Sequence, residues 1–155
     1  MKKSLLFGKY ALFLLLFSAL AFASCKKDKD EEPAPPTKKE LLSNKWKVAD
    51  VQDAGGTSYI NFPVDQIKCL ADNIFTLRED NTYIIDEGPK ACDPSTAQSG
   101  TWKLTDNDTK IEFTQAAGDP LIVNLVDVNT TTLKISYELT DIPLPGTYTV
   151  ILQKQ

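Results

Sequence analysis

The sequence predicts an all-β domain: an antiparallel up-and-down meander of about eight strands closed into a small barrel, with a short helical turn before the first strand. Three observations carry this. β-Branched and aromatic residues gather in short runs in which polar and apolar positions alternate. Turns rich in Asn, Asp and Gly separate those runs at regular spacing. One polar and one apolar face per strand suits an antiparallel sheet, and closure removes the edges that an open meander would expose.

Taken in order, Lys39 to Ser43 is the helical candidate and Trp46 to Val51 the first strand; Tyr59 to Phe62 is a candidate short strand. Asn73 to Leu77 and Thr82 to Asp86 flank Glu79-Asp80-Asn81 as a hairpin. Thr101 to Leu104 and Lys110 to Thr114 flank Asp106-Asn107-Asp108, and Leu121 to Val128 and Thr132 to Leu139 flank Asn129-Thr130-Thr131. Thr147 to Gln153 closes the chain, while Gly55-Gly56, Gly88-Pro89 and Asp93-Pro94 mark loops. Alternation places Trp46, Val48, Phe75, Leu77, Tyr83, Ile85, Trp102, Leu104, Ile111 and Phe113 inside. Leu133, Ile135, Tyr137, Leu139, Tyr148, Val150 and Leu152 join them, and Lys47, Lys103, Lys110, Glu112, Lys134, Ser136 and Glu138 point out.

Composition excludes several function classes. Residues 41–155, one domain's length, hold nine basic and sixteen acidic residues (9 − 16 = −7). Such a domain, with Arg78 as its single arginine, does not suit nucleic acid, whose phosphates require clustered Lys and Arg. The chain has no His, which removes the commonest transition-metal ligand and the usual base of Ser and Cys hydrolases. No Gly-x-Ser-x-Gly elbow occurs, and the paired carboxylates Glu79-Asp80 and Asp86-Glu87 sit in or beside turns. Asp106-Asn107-Asp108 reads as a turn, because a calcium loop needs more oxygen ligands. No catalytic residue, metal or cofactor is assigned.

The N-terminus carries a different message. Lys2, Lys3 and Lys9 precede the apolar run Tyr10 to Ala23, too short for a spanning helix, and Phe22-Ala23-Ser24-Cys25 follows in turn. This resembles a bacterial lipoprotein signal, with a lipobox of the looser Bacteroidota kind in which Phe22 stands where Leu is usual. The resemblance implies that residues 1–24 are removed and that Cys25 carries a diacylglycerol and an amide-linked acyl chain such as palmitate. Two or more chains anchor a protein stably where one binds marginally. An ordinary secretory signal is the alternative. Residues 25–40, charged and containing Pro33, Pro35 and Pro36, read as a disordered tether to the 41–155 domain. Asp28-x-Asp30-Glu31-Glu32 resembles the export signals of surface lipoproteins, a solvated linker being the other reading. The expected address is the cell envelope, on an outer-membrane lipoprotein that is periplasmic or surface-exposed, with the membrane contacted through the lipid anchor.

With Cys25 set aside, Cys69 and Cys92 form an even pair, which in an exported domain reads as a disulfide; two separate buried thiols are the alternative. Leu41-Leu42-Ser43-Asn44-Lys45-Trp46 resembles the opening of lipocalin-like domains, where a helical turn leads through Gly-x-Trp into the first strand. Here Asn44 replaces Gly, Asn being the next residue most tolerant of positive φ. Gly100-Thr101-Trp102 is a second copy. The order Trp46, Cys69, the Phe75 hairpin, Cys92, then Trp102 resembles the lipocalin-like domains of Bacteroidota lipoproteins over most of residues 41–155. Lipocalins proper place an Arg near the last strand against the first Trp, where this chain offers Lys154. The resemblance implies a small antiparallel barrel with no assigned activity.

Trp46 and Trp102 are expected to plug the barrel floor. Tyr83, Tyr137, Tyr148 and Phe113 are the candidate ligand-facing residues, with core packing as the competing role. The expected function is that of a lipid-anchored, non-catalytic barrel that binds a small apolar ligand. The alternative is a pocketless module, an accessory subunit or enzyme inhibitor, that meets an envelope or surface protein. A mouthed cavity of about 300 Å³ or more favours the first; a packed interior with an exposed apolar patch favours the second.

Overall fold

The computed structural model describes residues 34–61, 68–140 and 145–155. The expected signal segment, Cys25 and the tether up to residue 33 lie outside them, as does Phe62. Residues 36–155 form one compact unit.

The fold opens with a short helix, α1 (Lys38–Leu42). Thr37 caps it: its side chain accepts from Glu40 N at 3.2 Å, and the Glu40 carboxylate accepts from Thr37 N at 2.6 Å. This capping box satisfies helix donors that would otherwise lack partners. Asn44 departs from the expectation of a left-handed hinge. The non-glycine residues with positive φ, among those described, are Asn81, Asp106, Asn107 and Asp108. Asn44 serves through its side chain, whose Nδ2 donates to Leu41 O at 2.8 Å and so satisfies a carbonyl at the end of α1.

Eight strands follow: β1 (Lys45–Asp53), β2 (Ile74–Leu77), β3 (Thr82–Asp86), β4 (Gln98–Thr105), β5 (Lys110–Gln115), β6 (Leu121–Val128), β7 (Thr132–Leu139) and β8 (Gly146–Lys154). Each pairs antiparallel with its sequence neighbours, and β8 returns to β1 to close the barrel. Three tight turns share one end of it. Asn81 takes φ 67° in the β2–β3 turn, and Asp106, Asn107 and Asp108 take φ of 53°, 54° and 59° in the β4–β5 turn. Short Asx side chains tolerate that left-handed region better than other L-residues do. In the β6–β7 turn, Asn129 Oδ1 accepts from Thr131 N and Thr132 N at 3.0 and 2.9 Å. With α1 and the end of β8, these turns make the hairpin end. The long β1–β2 and β3–β4 connections lie at the opposite, loop end.

The core is a single cluster on the inner face, sealed from below by Leu42 of α1. Sequence alternation names most of its members. It misses the bulges, where one strand carries an extra residue: Ala49 in β1 and Val126 in β6. A bulge resets the parity of a strand, so Val48 and Val51 both pack on the core, as do Leu125 and Val128. Ser136 has outward parity but is buried, at 8% exposure, between its cross-strand neighbours Asn124 and Thr149. Tyr59 and Ile60 form no strand; the adjacent contact is one isolated bridge, Gln52 to Ser58. A 3-10 turn at Leu70–Asp72 has no forewarning in the hydrophobic pattern. Gly100 is required by proximity. A Cβ there would lie 2.1 Å from Thr114 O and 3.0 Å from Tyr83 Cε1.

Candidate functional site

Ligands of small barrels enter at an open mouth, and the loop end is where this chain builds its polar constellations. Asp53 ends β1 directly opposite Tyr148 of β8. Its Oδ1 accepts from Gly55 N and Thr57 N, both at 2.9 Å, and its Oδ2 accepts from the Tyr59 hydroxyl at 3.1 Å. The Thr57 N–H and the Tyr59 hydroxyl hold the Asp53 carboxyl below its ordinary range, and the same carboxylate pushes the Tyr59 phenol up. The Tyr59 ring meets Tyr148 edge-on with centroids 5.9 Å apart. Tyr148 is in turn the cross-strand partner of Tyr137, whose phenol is raised by burial first and by Tyr148 second. Beside this group, Ser58 Oγ and Gln52 Nε2 donate to Asp50 at 2.6 and 2.7 Å. The sequence signal for Asp53 was the Asp-x-Gly-Gly-Thr pattern of an Asx turn; for Tyr59 there was none.

A second constellation holds the β3–β4 connection. Glu87 Oε1 accepts from Cys92 N at 3.1 Å, Thr96 N at 2.7 Å and Thr96 Oγ1 at 2.9 Å, while Oε2 accepts from Ser95 Oγ at 2.8 Å. These donors, the Thr96 N–H foremost, lower its carboxyl to about 2. Cys92 is joined to Cys69, with Cα atoms 5.2 Å apart, so the disulfide staples the β1–β2 connection to the β3–β4 connection. Asn73 is fully buried next to this staple and donates Nδ2 to Thr96 Oγ1 at 2.9 Å. Asp72 Oδ2 accepts from Lys90 N at 3.1 Å. Asp72 Oδ1 and Asn73 Oδ1 are buried without a partner among the described residues. No group of three potential metal-ligating side chains occurs among the described residues.

Among the described residues, large side chains pack closely across the interior. Trp46 and Trp102 lie at the hairpin end, at 0% and 2% exposure. Trp46 Nε1 donates to Leu42 O at 2.8 Å, and Trp102 Nε1 to Arg78 O in the β2–β3 turn at 3.0 Å. Both rings therefore form a floor tied to backbone carbonyls. Higher up, Tyr83 and Phe113 meet edge-on with centroids 5.1 Å apart. The Tyr83 hydroxyl sits 3.5 Å from Gln98 Oε1, which also accepts from Gln115 Nε2. Together with Phe75, Leu77, Ile111 and Leu152, these two aromatics line a wholly apolar cavity of about 20 Å³. That is room for about one water, yet no polar group is there to hold it. Of the candidate ligand-facing residues, the structure thus brings Tyr83 and Phe113 together at the cavity, and Tyr137 and Tyr148 together at the loop end.

The outer surface is polarised. The hairpin end is taken as α1, the three tight turns and the three strand residues nearest them. Among the described residues it carries nine basic and seven acidic side chains (9 − 7 = +2). The remainder, towards the loop end, carries two basic and eight acidic side chains (2 − 8 = −6). The exposed large apolar residues among those described all belong to β6. Leu121 is 52% exposed opposite inward-facing Phe113, Ile122 lies opposite Glu112, and Val126 is at the bulge.

No known family profile matches the chain, and no curated protein does either. Among solved structures, the chain is similar to a lipocalin-like protein from Bacteroides uniformis ATCC 8492. The likeness has a TM-score of 0.50 at 16% identity and covers 74% of this chain and 99% of that one. This establishes a lipocalin-like fold, an eight-stranded antiparallel barrel preceded by one short helix.

Proposed function

We propose that this protein is an envelope lipoprotein, acylated at Cys25, whose lipocalin-like barrel is non-catalytic and works through its outer surface by docking a protein partner. The observation that carries the reading is the small size of the interior cavity lined by described residues. A cavity of about 20 Å³ falls far short of the roughly 300 Å³ at the lower end of small-molecule sites. The acidic surface towards the loop end favours a partner with a basic face, because complementary charge steers encounter and fixes orientation. The test is native mass spectrometry after mild extraction of the acylated protein from its source cell. A stoichiometric protein partner that dissociates as salt is raised supports the reading. A single lipophilic molecule retained one-to-one, with no partner, refutes it.

A second reading, carriage of a small apolar ligand, draws support from one feature. Leu121 combines inward parity with high exposure and is the cross-strand partner of Phe113, which lines the cavity. The same mass measurement distinguishes the two readings.

A further inference from the structure

We propose that the Cys69–Cys92 disulfide is a redox-operated latch. Intact, it holds shut the seam between the β1–β2 and β3–β4 connections; reduced, it lets that seam open while the barrel stays folded. The seam runs between residues 69–73 and residues 87–96 at the loop end. Among the described residues, two hydrogen bonds cross it besides the disulfide. Lys90 N donates to Asp72 Oδ2 at 3.1 Å, and Asn73 Nδ2 donates to Thr96 Oγ1 at 2.9 Å. The four bonds that Glu87 accepts all come from Cys92, Ser95 and Thr96, so they shape one side of the seam without joining it to the other.

Two buried oxygens oppose closure. Asp72 Oδ1 and Asn73 Oδ1 have no hydrogen-bond partner among the described residues, and Asn73 is fully buried. Water would satisfy both once the seam parted, so each of these acceptors favours the open form. Closure also presses the Asp72 carboxyl against Gly88, where a Cβ would lie 2.5 Å from Asp72 Cγ. The disulfide acts against these forces. With the Ile74–Asp86 pair of the β2–β3 ladder intact, residues 69–73 and 87–92 form a short loop closed at its far end by the disulfide. Freeing a loop of that size raises the open population on the order of a hundredfold on the chain-entropy account. The β1–β8 and β7–β8 ladders include neither connection, so the opening is local.

The reductant is a dithiol. Cys92 is half-buried and Cys69 buried, so the incoming thiolate attacks Cys92 Sγ. The S–S bond breaks and Cys69 leaves as a thiolate. The second thiol of the reductant then attacks the mixed disulfide and releases Cys92. Two electrons pass to the protein, the two thiol protons end on the two cysteines, and the reductant becomes a disulfide.

The experiment compares hydrogen exchange, read by mass spectrometry, in the full chain with the Cys69–Cys92 bond intact and after reduction by dithiothreitol. The Cys69→Ser/Cys92→Ser variant reads the opened seam without reductant. On reduction, residues 69–73 and 87–96 should exchange within about tenfold of an unprotected chain, while β7 and β8 stay roughly a thousandfold slower than one. Seam protection that survives both reduction and the double substitution overturns the latch. Loss of protection in β7 and β8 in step with the seam overturns it equally, because the bond would then hold the whole fold and not one opening.

Discussion

Replacing Trp46 by Phe tests how the barrel floor is held. The indole is fully buried and its Nε1 donates to Leu42 O at 2.8 Å. The substitution removes that donor but does not orphan the acceptor, because Leu42 O also accepts from Asn44 N at 2.7 Å. The hydrogen-bond loss is therefore the net value of about 1 kcal/mol, not the larger cost of a bare buried carbonyl. The smaller ring leaves a gap on the order of 40 Å³, which at about 24 cal/mol per Å³ adds about 1 kcal/mol. The sum is about 2 kcal/mol, or a midpoint lowered by about 8 °C for a domain of this size. Urea unfolding of the oxidised protein, followed by circular dichroism, measures it. A change below about 0.5 kcal/mol at unchanged m would refute the close-packed, bonded floor. A loss above about 4 kcal/mol would show that Leu42 O has no effective second donor.

Three further outcomes follow from the same geometry. Gly100→Ala places a Cβ against Thr114 O and the Tyr83 ring, and should destabilise the barrel by roughly 1–3 kcal/mol or more in the same unfolding assay. Reducing the Cys69–Cys92 bond frees a loop of sequence separation 23 and should lower stability by roughly 3 kcal/mol on the chain-entropy account, read by unfolding with and without reductant. Glu87 has a folded carboxyl at about 2 against 4.5 for the free group. Its contribution is therefore complete above pH 4.5 and is lost as pH falls from there through 2. Glu87→Gln should be less stable at pH 7 and show a flatter stability profile across that acid range; a profile parallel to that of the parent would count against the network.

Legibility varied with the range of the interaction concerned. The Glu79-Asp80-Asn81 and Asp106-Asn107-Asp108 turns were readable because short Asx residues adopt left-handed φ on local grounds, and the structure has φ 67° at Asn81 and 53–59° at 106–108. The core face was readable because strand parity is a local rule, and it failed at Ala49 and Val126, where a bulge answers to the neighbouring strand. Asn44 kept the place of a glycine, but the backbone there needed a carbonyl cap instead of a positive φ. Glu87 gave no signal, since its donors come from residues five to nine positions on, in a connection with no periodicity.

The sequence by itself determined the barrel's strand count, its inner face, its hairpin turns and its lack of histidine chemistry, because each depends on residue type or on spacing along the chain. Only the tertiary structure decided how full the barrel is and how its charge is arranged. Volume depends on how side chains from non-neighbouring strands interdigitate, as the Tyr83 and Phe113 rings do over a cavity of about 20 Å³. Charge polarity depends on which turns share an end, which closure of β8 onto β1 sets. The charges of the described residues divide into a mildly basic end (+2) and an acidic remainder (−6) only once the barrel is closed.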